Sequence, residues 1–183
     1  MQNLTKQQGL EALFTDITDF HEKFGLNQPQ RNAKLSNEEW KLRHSRLLEE
    51  YREFLEAVCQ NDYIEMLDAF VDLSYIALGT IYRKGWPLEP THHSGLTLHE
   101  TISAYCIAVG TMDQTSPLST VRSLLVQIVD TCSKVKNFQE AWDRVHAANM
   151  AKERGNPKTS KYGSGFDIVK PEGWTAPDLS DLV

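Results

Sequence analysis

The chain has 183 residues, of which 19 are basic and 25 acidic, and its formal net charge is −6 at pH 7. This length suits one domain with a sizeable core, and we expect a single domain over residues 1–183. Phosphate-rich partners select basic surfaces, so the negative charge argues against general binding of nucleic acid or of an anionic membrane surface. No apolar run in the sequence approaches membrane-spanning length.

Six stretches carry apolar residues at the spacing of amphipathic helices. We predict helices over residues 10–24, 38–60, 62–83, 97–111, 118–135 and 137–152. From Gly155 onward the composition shifts to Gly, Pro, Ser, Thr and Lys, so residues 155–183 are expected to form an irregular, extended tail over the helices. Because no strand pattern of weight is present, the sequence predicts an all-α fold.

Three cysteines, Cys59, Cys106 and Cys132, are far apart and set among apolar helical residues. An odd, dispersed set does not indicate a disulfide framework or a zinc site, so we expect reduced cysteines in the core and a cytoplasmic protein. His21 lies on the first predicted helix, and we expect it on the surface of that helix.

The most informative stretch is residues 47–79, where eight of the 25 acidic residues fall within 33 positions. They are Glu49, Glu50, Glu53, Glu56, Asp62, Glu65, Asp68 and Asp72. At about 100° per residue, the last three fall within roughly 60° of one another, and Glu50 lies beside the apolar stripe of the preceding helix. An antiparallel hairpin of the two helices would therefore bring two sets of carboxylates together at the edge of a core.

Carboxylates crowded at the edge of a core repel one another and lose hydration, which is costly unless a cation neutralises them. Hard divalent ions such as Mg²⁺ or Mn²⁺ do so with oxygen ligands alone, so we favour a metal site here. The alternative is a solvated acidic helix face. Against that alternative, Arg52 is the only basic residue between Glu49 and Tyr82, whereas a surface helix normally mixes in basic partners at i,i+4.

Positive charge is concentrated later in the chain. Five basic residues fall within 19 positions: Lys152, Arg154, Lys158, Lys161 and Lys170. One interpretation is that these cations bind phosphate oxygens beside the metal, and the other is a solubilising tail. The P-loop sequence GxxxxGK[ST] is absent, so any phosphate would have to be held by metal and side chains.

Three acidic motifs follow one another along the chain: Glu49-Glu50-x-x-Glu53, Glu65-x-x-Asp68 and Asp72-Leu-Ser-Tyr75. This series resembles the EExxE…ExxD signature of the all-α nucleoside triphosphate pyrophosphatases, the MazG-like proteins. That superfamily also holds dimeric dUTPases and phosphoribosyl-ATP pyrophosphohydrolases. The segments FHEKFG, DLSYIALGT and VHAANMAKERG, the last leading to KPEGW, are similar to those of phage and bacterial stand-alone members.

The resemblance implies a helical bundle, usually a homodimer or homotetramer, with active sites near subunit contacts. It implies Mg²⁺-dependent cleavage of a nucleoside triphosphate between its α and β phosphates, with Mn²⁺ able to substitute. Glu49 and Glu50 would be the catalytic acids. Of these, Glu50 would bind metal together with Glu53, and Glu49 would orient or deprotonate the attacking water.

The resemblance also implies ligands on the second acidic helix. Family members often place ExxD directly before a Leu-x-Tyr/Phe run, whereas position 69 of this chain is Ala. Two assignments therefore stay open, Glu65 with Asp68 or Asp68 with Asp72, and we favour the second. Asn149 and Lys152 match the family's Asn-Met-x-Lys segment and would contact phosphate or sugar.

Lys161, Tyr162 and Lys170 are expected to help close the site. Four aromatic residues are candidates for stacking on the base: Phe24, Trp40, Tyr75 and Trp86. We expect a deoxynucleotide substrate, with a purine and dGTP preferred. A dUTP or dCTP pyrophosphatase and a phosphoribosyl-ATP pyrophosphohydrolase are the alternatives within the superfamily.

Two interpretations come from other classes of protein. A ferritin-like di-iron bundle needs Glu-x-x-His on helices, but the only such spacing, Glu89-Pro-Thr-His92, spans a proline in a predicted loop. A helical interaction module would carry the acids as a decorated surface and would bind no metal.

Overall fold

The computed structural model describes residues 6–26, 37–88, 95–110, 118–155 and 168–183. These segments contain α1 (Lys6–Lys23), α2 (Asn37–Gln60), α3 (Tyr63–Arg83), α4 (Leu98–Gly110), α5 (Leu118–Cys132) and α6 (Phe138–Met150). All the predicted helices are present, with ends within about four residues of the expected positions, and the all-α fold is confirmed. Within these segments, no helix has both the length and the apolar character required to cross a membrane.

Backbone conformation explains where the first three helices end. Each is followed by a residue with positive φ, which is Gly25 at 56°, Asn61 at 56° and Gly85 at 60°. In each case the amides of this residue and of the next donate to carbonyl groups of the last helical turn. Glycine and asparagine tolerate this left-handed conformation best, so the sequence itself sets these ends.

Asp62 begins α3 directly after this turn. Its side chain accepts hydrogen bonds from the backbone N–H groups of Ile64 at 3.2 Å and Glu65 at 3.1 Å. A cap of this kind contributes about 1 kcal/mol. Because only Asn61 and Asp62 separate the two helices, α2 and α3 lie side by side as an antiparallel hairpin.

α3 is the central helix of the bundle. It contacts α1, α2, α5 and α6, and α4 packs against α5. The largest fully buried side chains include Trp142, Tyr105, Ile17, Leu47, Leu73, Leu78 and Ile128. Burying one such side chain contributes about 1.5–3 kcal/mol, so this core fixes α6 and α1 against the α2–α3 hairpin.

The C-terminal segment departs from the irregular tail that the sequence predicts. Glu153–Arg154 (β1) and Ile168–Val169 (β2) pair as a two-stranded antiparallel ribbon, with Glu153 opposite Val169. A short 3₁₀ helix follows at Ser180–Leu182. The segment lies against the helices, where Trp174 Nε1 donates to the carbonyl of Ala148 at 2.9 Å. Sequence periodicity missed the ribbon because two-residue strands carry no repeating pattern.

Burial corrects two expectations about single residues. Cys132 is buried and Cys106 is half-buried, but Cys59 is exposed, so the expectation of three core cysteines is wrong for Cys59. His21 is only 4% exposed, and its ring centroid lies 4.6 Å from that of Tyr82. The expected surface position is therefore wrong, because α1 docks this face against α3.

Candidate active site

The α2–α3 hairpin brings carboxylates of two helices together. Burial, followed by the charges of Asp72, Glu53 and Glu49, raises the pKa of Glu50 to about 8. Burial is the largest cause, and the charges of acids on both helices add to it because water screens them poorly at this position. The acidic faces of the two helices therefore lie near enough along the hairpin for their charges to interact.

Asp68 and Asp72 form the α3 half of this site. Burial and then the charge of Asp68 raise the pKa of Asp72 to about 7, while Lys152 opposes the shift. Burial, then Glu65 and Glu53, raise the pKa of Asp68. Carboxyl groups whose pKa is raised by burial and by neighbouring charges are typical of functional sites. We call Glu50, Glu53, Asp68 and Asp72 the carboxylate cluster.

Glu53 and Glu65 are exposed members of the two helices. Glu53 acts on Glu50, Asp68 and Asp72, whereas the charge of Glu65 is a cause only of the shift at Asp68. The charge of Glu53 on α2 thus acts on both Asp68 and Asp72 of α3. The charge of Glu65 acts on Asp68 alone among these residues. Both ligand assignments that the sequence left open, Glu65 with Asp68 and Asp68 with Asp72, stay predictions.

Glu49 differs from its neighbour in the chain. It is partly exposed and forms an ion pair with Arg46, whose Nη1 lies 3.2 Å from Glu49 Oε2. Since a helix turns about 100° per residue, Glu49 and Glu50 leave α2 in different directions. Glu49 thus lies at the solvent side of the cluster, and its role in activating water stays a prediction.

The described residues hold no ready-made metal site: no three His, Cys, Asp or Glu side chains stand there in a ligating arrangement. The donor chemistry nevertheless fits a hard divalent cation, because the cluster consists of carboxylate oxygens alone. The raised pKa values of Glu50 and Asp72 show that the site disfavours uncompensated negative charge. Mg²⁺, or Mn²⁺ in its place, therefore stays a proposal, with the carboxylate cluster as the set that would hold it.

Two lysines from different segments lie side by side near the cluster. Lys152 directly precedes β1 and Lys170 directly follows β2, so the antiparallel pairing of Glu153 with Val169 brings both lysines to the same end of the ribbon. Both ammonium groups approach the ring of Trp174, with Nζ 5.4 Å from its centroid for Lys152 and 4.4 Å for Lys170. The ribbon therefore assembles a pair of cations from residues that are 18 positions apart in the sequence.

The two lysines act on the carboxylate cluster. Lys152 and Lys170 both oppose the upward pKa shifts of Asp68 and Asp72. Burial lowers the pKa of Lys152, Asp72 opposes that shift, and Lys170 adds to it. Adjacent ammonium and carboxylate groups are suited to bind phosphate oxygens and a metal ion together.

Asn149 and Tyr75, both predicted to contact substrate, contact each other. Asn149 is 8% exposed, its Oδ1 accepts from Lys152 Nζ at 2.7 Å, and its side chain is hydrogen-bonded to Tyr75. The Tyr75 ring packs against Phe20 and Trp142, with centroids 5.3 and 5.1 Å away. This packing holds the Tyr75 ring among aromatic side chains of the bundle, and its role in binding substrate stays a prediction.

Lys161 and Tyr162, which were also expected to bind substrate, lie outside the described residues. Among the other candidates for base stacking, Phe24 is buried, whereas Trp40 and Trp86 are half-buried. Trp40 and Trp86 pack against the core, and their role in stacking on a base stays a prediction.

A nearly apolar groove of about 190 Å³ lies elsewhere on α3. Its lining residues are Tyr63, Met66, Leu67, Phe70, Val135, Lys136, Leu182 and Val183. At 100° per residue, its α3 side chains point about 170° away from those of Glu65, Asp68 and Asp72. The groove is therefore separate from the carboxylate cluster.

Residues 17–94 match the family model of phosphoribosyl-ATP pyrophosphohydrolase. The matched segment covers the last seven residues of α1 and all of α2 and α3, and so includes the whole carboxylate cluster. Lys152 and Lys170 lie beyond it. No curated protein and no solved structure gives a significant match to the chain. This segment is similar to a family of the superfamily that also holds the MazG-like proteins, which supports a pyrophosphohydrolase acting on a nucleotide.

Asp16 and Trp142, which no motif singled out, join this site to α1 together with His146 of the VHAANMAKERG segment. Trp142 Nε1 donates to Asp16 Oδ2 at 2.8 Å, and the Tyr75 hydroxyl lies 3.0 Å from His146 Nδ1. The tryptophan and the aspartate are 126 positions apart, so their contact depends on how α6 docks against α1. No local sequence signal could have found them.

Proposed function

We propose that this chain is a metal-dependent nucleotide pyrophosphohydrolase, which hydrolyses a nucleoside triphosphate to a nucleoside monophosphate and pyrophosphate. The observation that carries this proposal is the meeting of Glu50 and Asp72 between α2 and α3, with Lys152 beside them. The family match over residues 17–94 supports the same class of reaction. As substrate we propose a deoxynucleoside triphosphate with a purine base, and dGTP first.

The carboxylate cluster would hold Mg²⁺, which when bound supplies positive charge to the phosphates and makes a coordinated water more acidic. Lys152 and Lys170 would bind oxygens of the phosphate chain and stabilise the negative charge that moves onto the departing pyrophosphate. Water oxygen forms the new bond to the α phosphorus, and the bond from that phosphorus to the bridging oxygen breaks. Glu49, at the solvent side, would orient this water and accept its proton.

Phosphoribosyl-ATP pyrophosphohydrolase is the second candidate function, because the matching family model carries that description. It also requires hydrolysis at a nucleotide's pyrophosphate linkage, so the carboxylate cluster suits either substrate. The two candidates differ in what must be bound beyond the triphosphate, and a direct comparison of substrates separates them.

A substrate panel tests the proposal. The protein is incubated with Mg²⁺ and each common NTP and dNTP, and with phosphoribosyl-ATP, while pyrophosphate and orthophosphate are scored separately. We expect pyrophosphate from at least one substrate, and in ¹⁸O-water we expect the label in the monophosphate product. Orthophosphate alone, or label in pyrophosphate, would reject cleavage by attack at the α phosphorus.

A matched pair of variants ties any activity to the cluster. Asp72→Asn keeps the shape of a cluster residue, and Glu56→Gln makes the corresponding change at an exposed position of α2. We expect Asp72→Asn and Glu53→Gln to fold normally and to lose nearly all turnover, while Glu56→Gln keeps it. Normal turnover in both cluster variants would refute the site.

We also propose that the protein acts as a homodimer or homotetramer. Exposed apolar side chains lie on both sides of the α2–α3 turn, at Leu55, Val58, Tyr63 and Ile64. Burial of such a patch between subunits would remove it from water. Light scattering at micromolar concentration tests this, and a monomer there would reject it.

A further inference from the structure

A continuous series of polar contacts connects the candidate active site to α1. It begins at Lys152, whose Nζ lies 2.7 Å from Asn149 Oδ1, and a hydrogen bond from the Asn149 side chain lowers the pKa of Tyr75, which burial raises. The Tyr75 hydroxyl lies 3.0 Å from His146 Nδ1. On the far side of that imidazole, Nε2 lies 3.9 Å from Asp16 Oδ1. We call these five residues the polar relay.

The donors and acceptors of the polar relay fit a single direction. An ammonium group can only donate, so Asn149 Oδ1 accepts from Lys152 and its amide N–H groups are left to face Tyr75. Burial raises the pKa of Tyr75 and the hydrogen bond from Asn149 opposes this shift, as a donor to the phenol oxygen must. We assign the Tyr75 hydroxyl as the donor to His146 Nδ1, which is the direction set by the tautomer in which Nδ1 accepts. This places the ring proton on Nε2, on the side of the Asp16 carboxylate.

Asp16 also anchors the packing behind the relay. Its second oxygen, Oδ2, accepts from Trp142 Nε1 at 2.8 Å, and Trp142 is fully buried. The Trp142 ring lies 5.1 Å from that of Tyr75, with 31° between the planes. One carboxylate thus fixes the ring that supports Tyr75 and lies beside the imidazole that binds the Tyr75 hydroxyl.

We propose that His146, backed by Asp16, is a positioning residue: through Tyr75 and Asn149 it holds the Lys152 ammonium in place beside the carboxylate cluster. This inference rests on the proposed function. A free lysine side chain loses rotamer entropy on being ordered, and the relay supplies that order before substrate binds. A pre-set cation acts most strongly where charge develops in the transition state.

Graded substitutions along the relay test this role. Tyr75→Phe removes one hydroxyl and keeps the ring, His146→Leu removes the acceptor, and His146→Gln restores an acceptor for the Tyr75 hydroxyl. Asp19→Asn, at an exposed position of α1, is the matched control for Asp16→Asn. The measurements are kcat and KM on the best substrate of the panel, together with the melting temperature.

We expect Tyr75→Phe and His146→Leu to lower kcat about tenfold while KM changes less than about threefold. The reason is that a Lys152 ammonium no longer held in position stabilises the transition state less, while it affects substrate binding little. Asp16→Asn should show a smaller loss in the same direction. His146→Gln should recover most of the His146→Leu loss, and Asp19→Asn should match the wild type. A loss of kcat that follows the melting temperature alone, without rescue by glutamine, would overturn the proposal.

A measurement without turnover separates this inference from the proposed function. NMR of protein labelled with ¹⁵N-asparagine detects the side-chain amide of Asn149. The signal that is missing from the spectrum of Asn149→Asp is assigned to this amide. We expect its resonances to shift in Tyr75→Phe, His146→Leu and Asp16→Asn, and not in Asp19→Asn. Unchanged resonances in His146→Leu would overturn the relay. Shifted resonances in a protein that hydrolyses no panel substrate would support the relay and reject the proposed function.

Discussion

Lys152 and Lys170 bring their ammonium groups to the same ring, that of Trp174, at one end of the β1–β2 ribbon. Like charges placed close together repel each other. Here both ammonium groups lie near the ring of Trp174, and the carboxylate cluster lies close enough to act on Lys152. Such a pair is stabilised further when a polyanion lies between its members, which is what a triphosphate chain would provide.

Lys170→Gln should therefore weaken substrate binding without weakening the fold. We expect KM to rise about tenfold, the equivalent of about 1.4 kcal/mol, because one contact to the phosphate chain is lost. The melting temperature should stay the same or rise slightly, since a like-charge pair is removed. Lys136→Gln, an exposed lysine beside the separate apolar groove, is the control. An unchanged KM in Lys170→Gln would contradict this account of the ribbon.

Asp72→Asn should stabilise the protein in the absence of divalent cations while it removes turnover. Burial and Asp68 raise the pKa of Asp72 to about 7, so at pH 8 its ionised form is held against an unfavourable environment. A neutral side chain of the same shape removes that penalty. We expect the melting temperature in EDTA at pH 8 to rise by about 2–4 °C, which corresponds to roughly 1 kcal/mol for a chain of this size.

The same variant should also lose its response to metal. Adding Mg²⁺ should raise the melting temperature of the wild type, because a ligand that binds only the folded state stabilises it. Asp72→Asn should show a much smaller rise, and Glu56→Gln a rise equal to that of the wild type. If Asp72→Asn were less stable than the wild type in EDTA, the idea of a strained cluster would be wrong.

The helices could be predicted from the sequence because their ends depend on local chemistry. Gly25, Asn61 and Gly85 each supply the left-handed residue that ends a helix, and Asp62 supplies the cap of the next. The meeting of the acidic faces also followed from local features, since helical period and a two-residue turn fix which side chains share the hairpin edge.

The features that the sequence did not predict depend on tertiary contacts. The β1–β2 ribbon joins two-residue strands, so the approach of Lys152 to Lys170 has no periodic signal. His21 was misplaced because a histidine on an apolar helix can be exposed or docked, and only the position of α3 decides. The link from Asp16 to His146 exists only once α6 and α1 have packed.

Glu39→Gln should destabilise the fold more than any other neutral substitution of an α2 acid. Glu39 binds Arg83 through two contacts, at 2.9 Å to Nε and 3.3 Å to Nη2, and Arg43 Nε lies 3.6 Å away. The Glu39 and Arg83 side chains are only 18% and 11% exposed. Neutralising the acid leaves two poorly hydrated guanidinium groups, at a cost of about 3 kcal/mol.

Urea unfolding measures this loss, with Glu56→Gln on the exposed side of the same helix as the control. We expect a lower midpoint for Glu39→Gln with an unchanged denaturant slope, which is the sign of lost stability in the same folded state. If Glu39→Gln and Glu56→Gln differed by less than about 0.5 kcal/mol in the free energy of unfolding, solvent would screen the Glu39–Arg83 ion pair as strongly as it screens an exposed pair.

His21 should make the fold sensitive to acid. Burial, followed by the charges of Arg43 and Arg83, lowers the pKa of His21 from 6.5 to about 3. As the pH falls from 6.5 toward 3, the unfolded chain therefore binds a proton that the folded chain does not. The free energy of unfolding then decreases by up to roughly 1 kcal/mol per pH unit from this residue, and its contribution is complete only above pH 6.5.

His21→Phe tests this assignment, because it keeps a ring against Tyr82 and removes the titrating group. The Nδ1 atom of His21 is buried without a hydrogen-bond partner among the described residues, so its loss should cost little at pH 7.5. Urea unfolding at intervals from pH 7.5 to 4.5 gives the difference in the free energy of unfolding between the variant and the wild type. Carboxyl groups present in both proteins contribute equally to the two free energies and so drop out of this difference. We expect the variant to gain stability relative to the wild type as the pH falls. A constant difference across this range would mean that His21 takes up its proton at the same pH in the folded and the unfolded protein, so that burial and the two arginines do not lower its pKa.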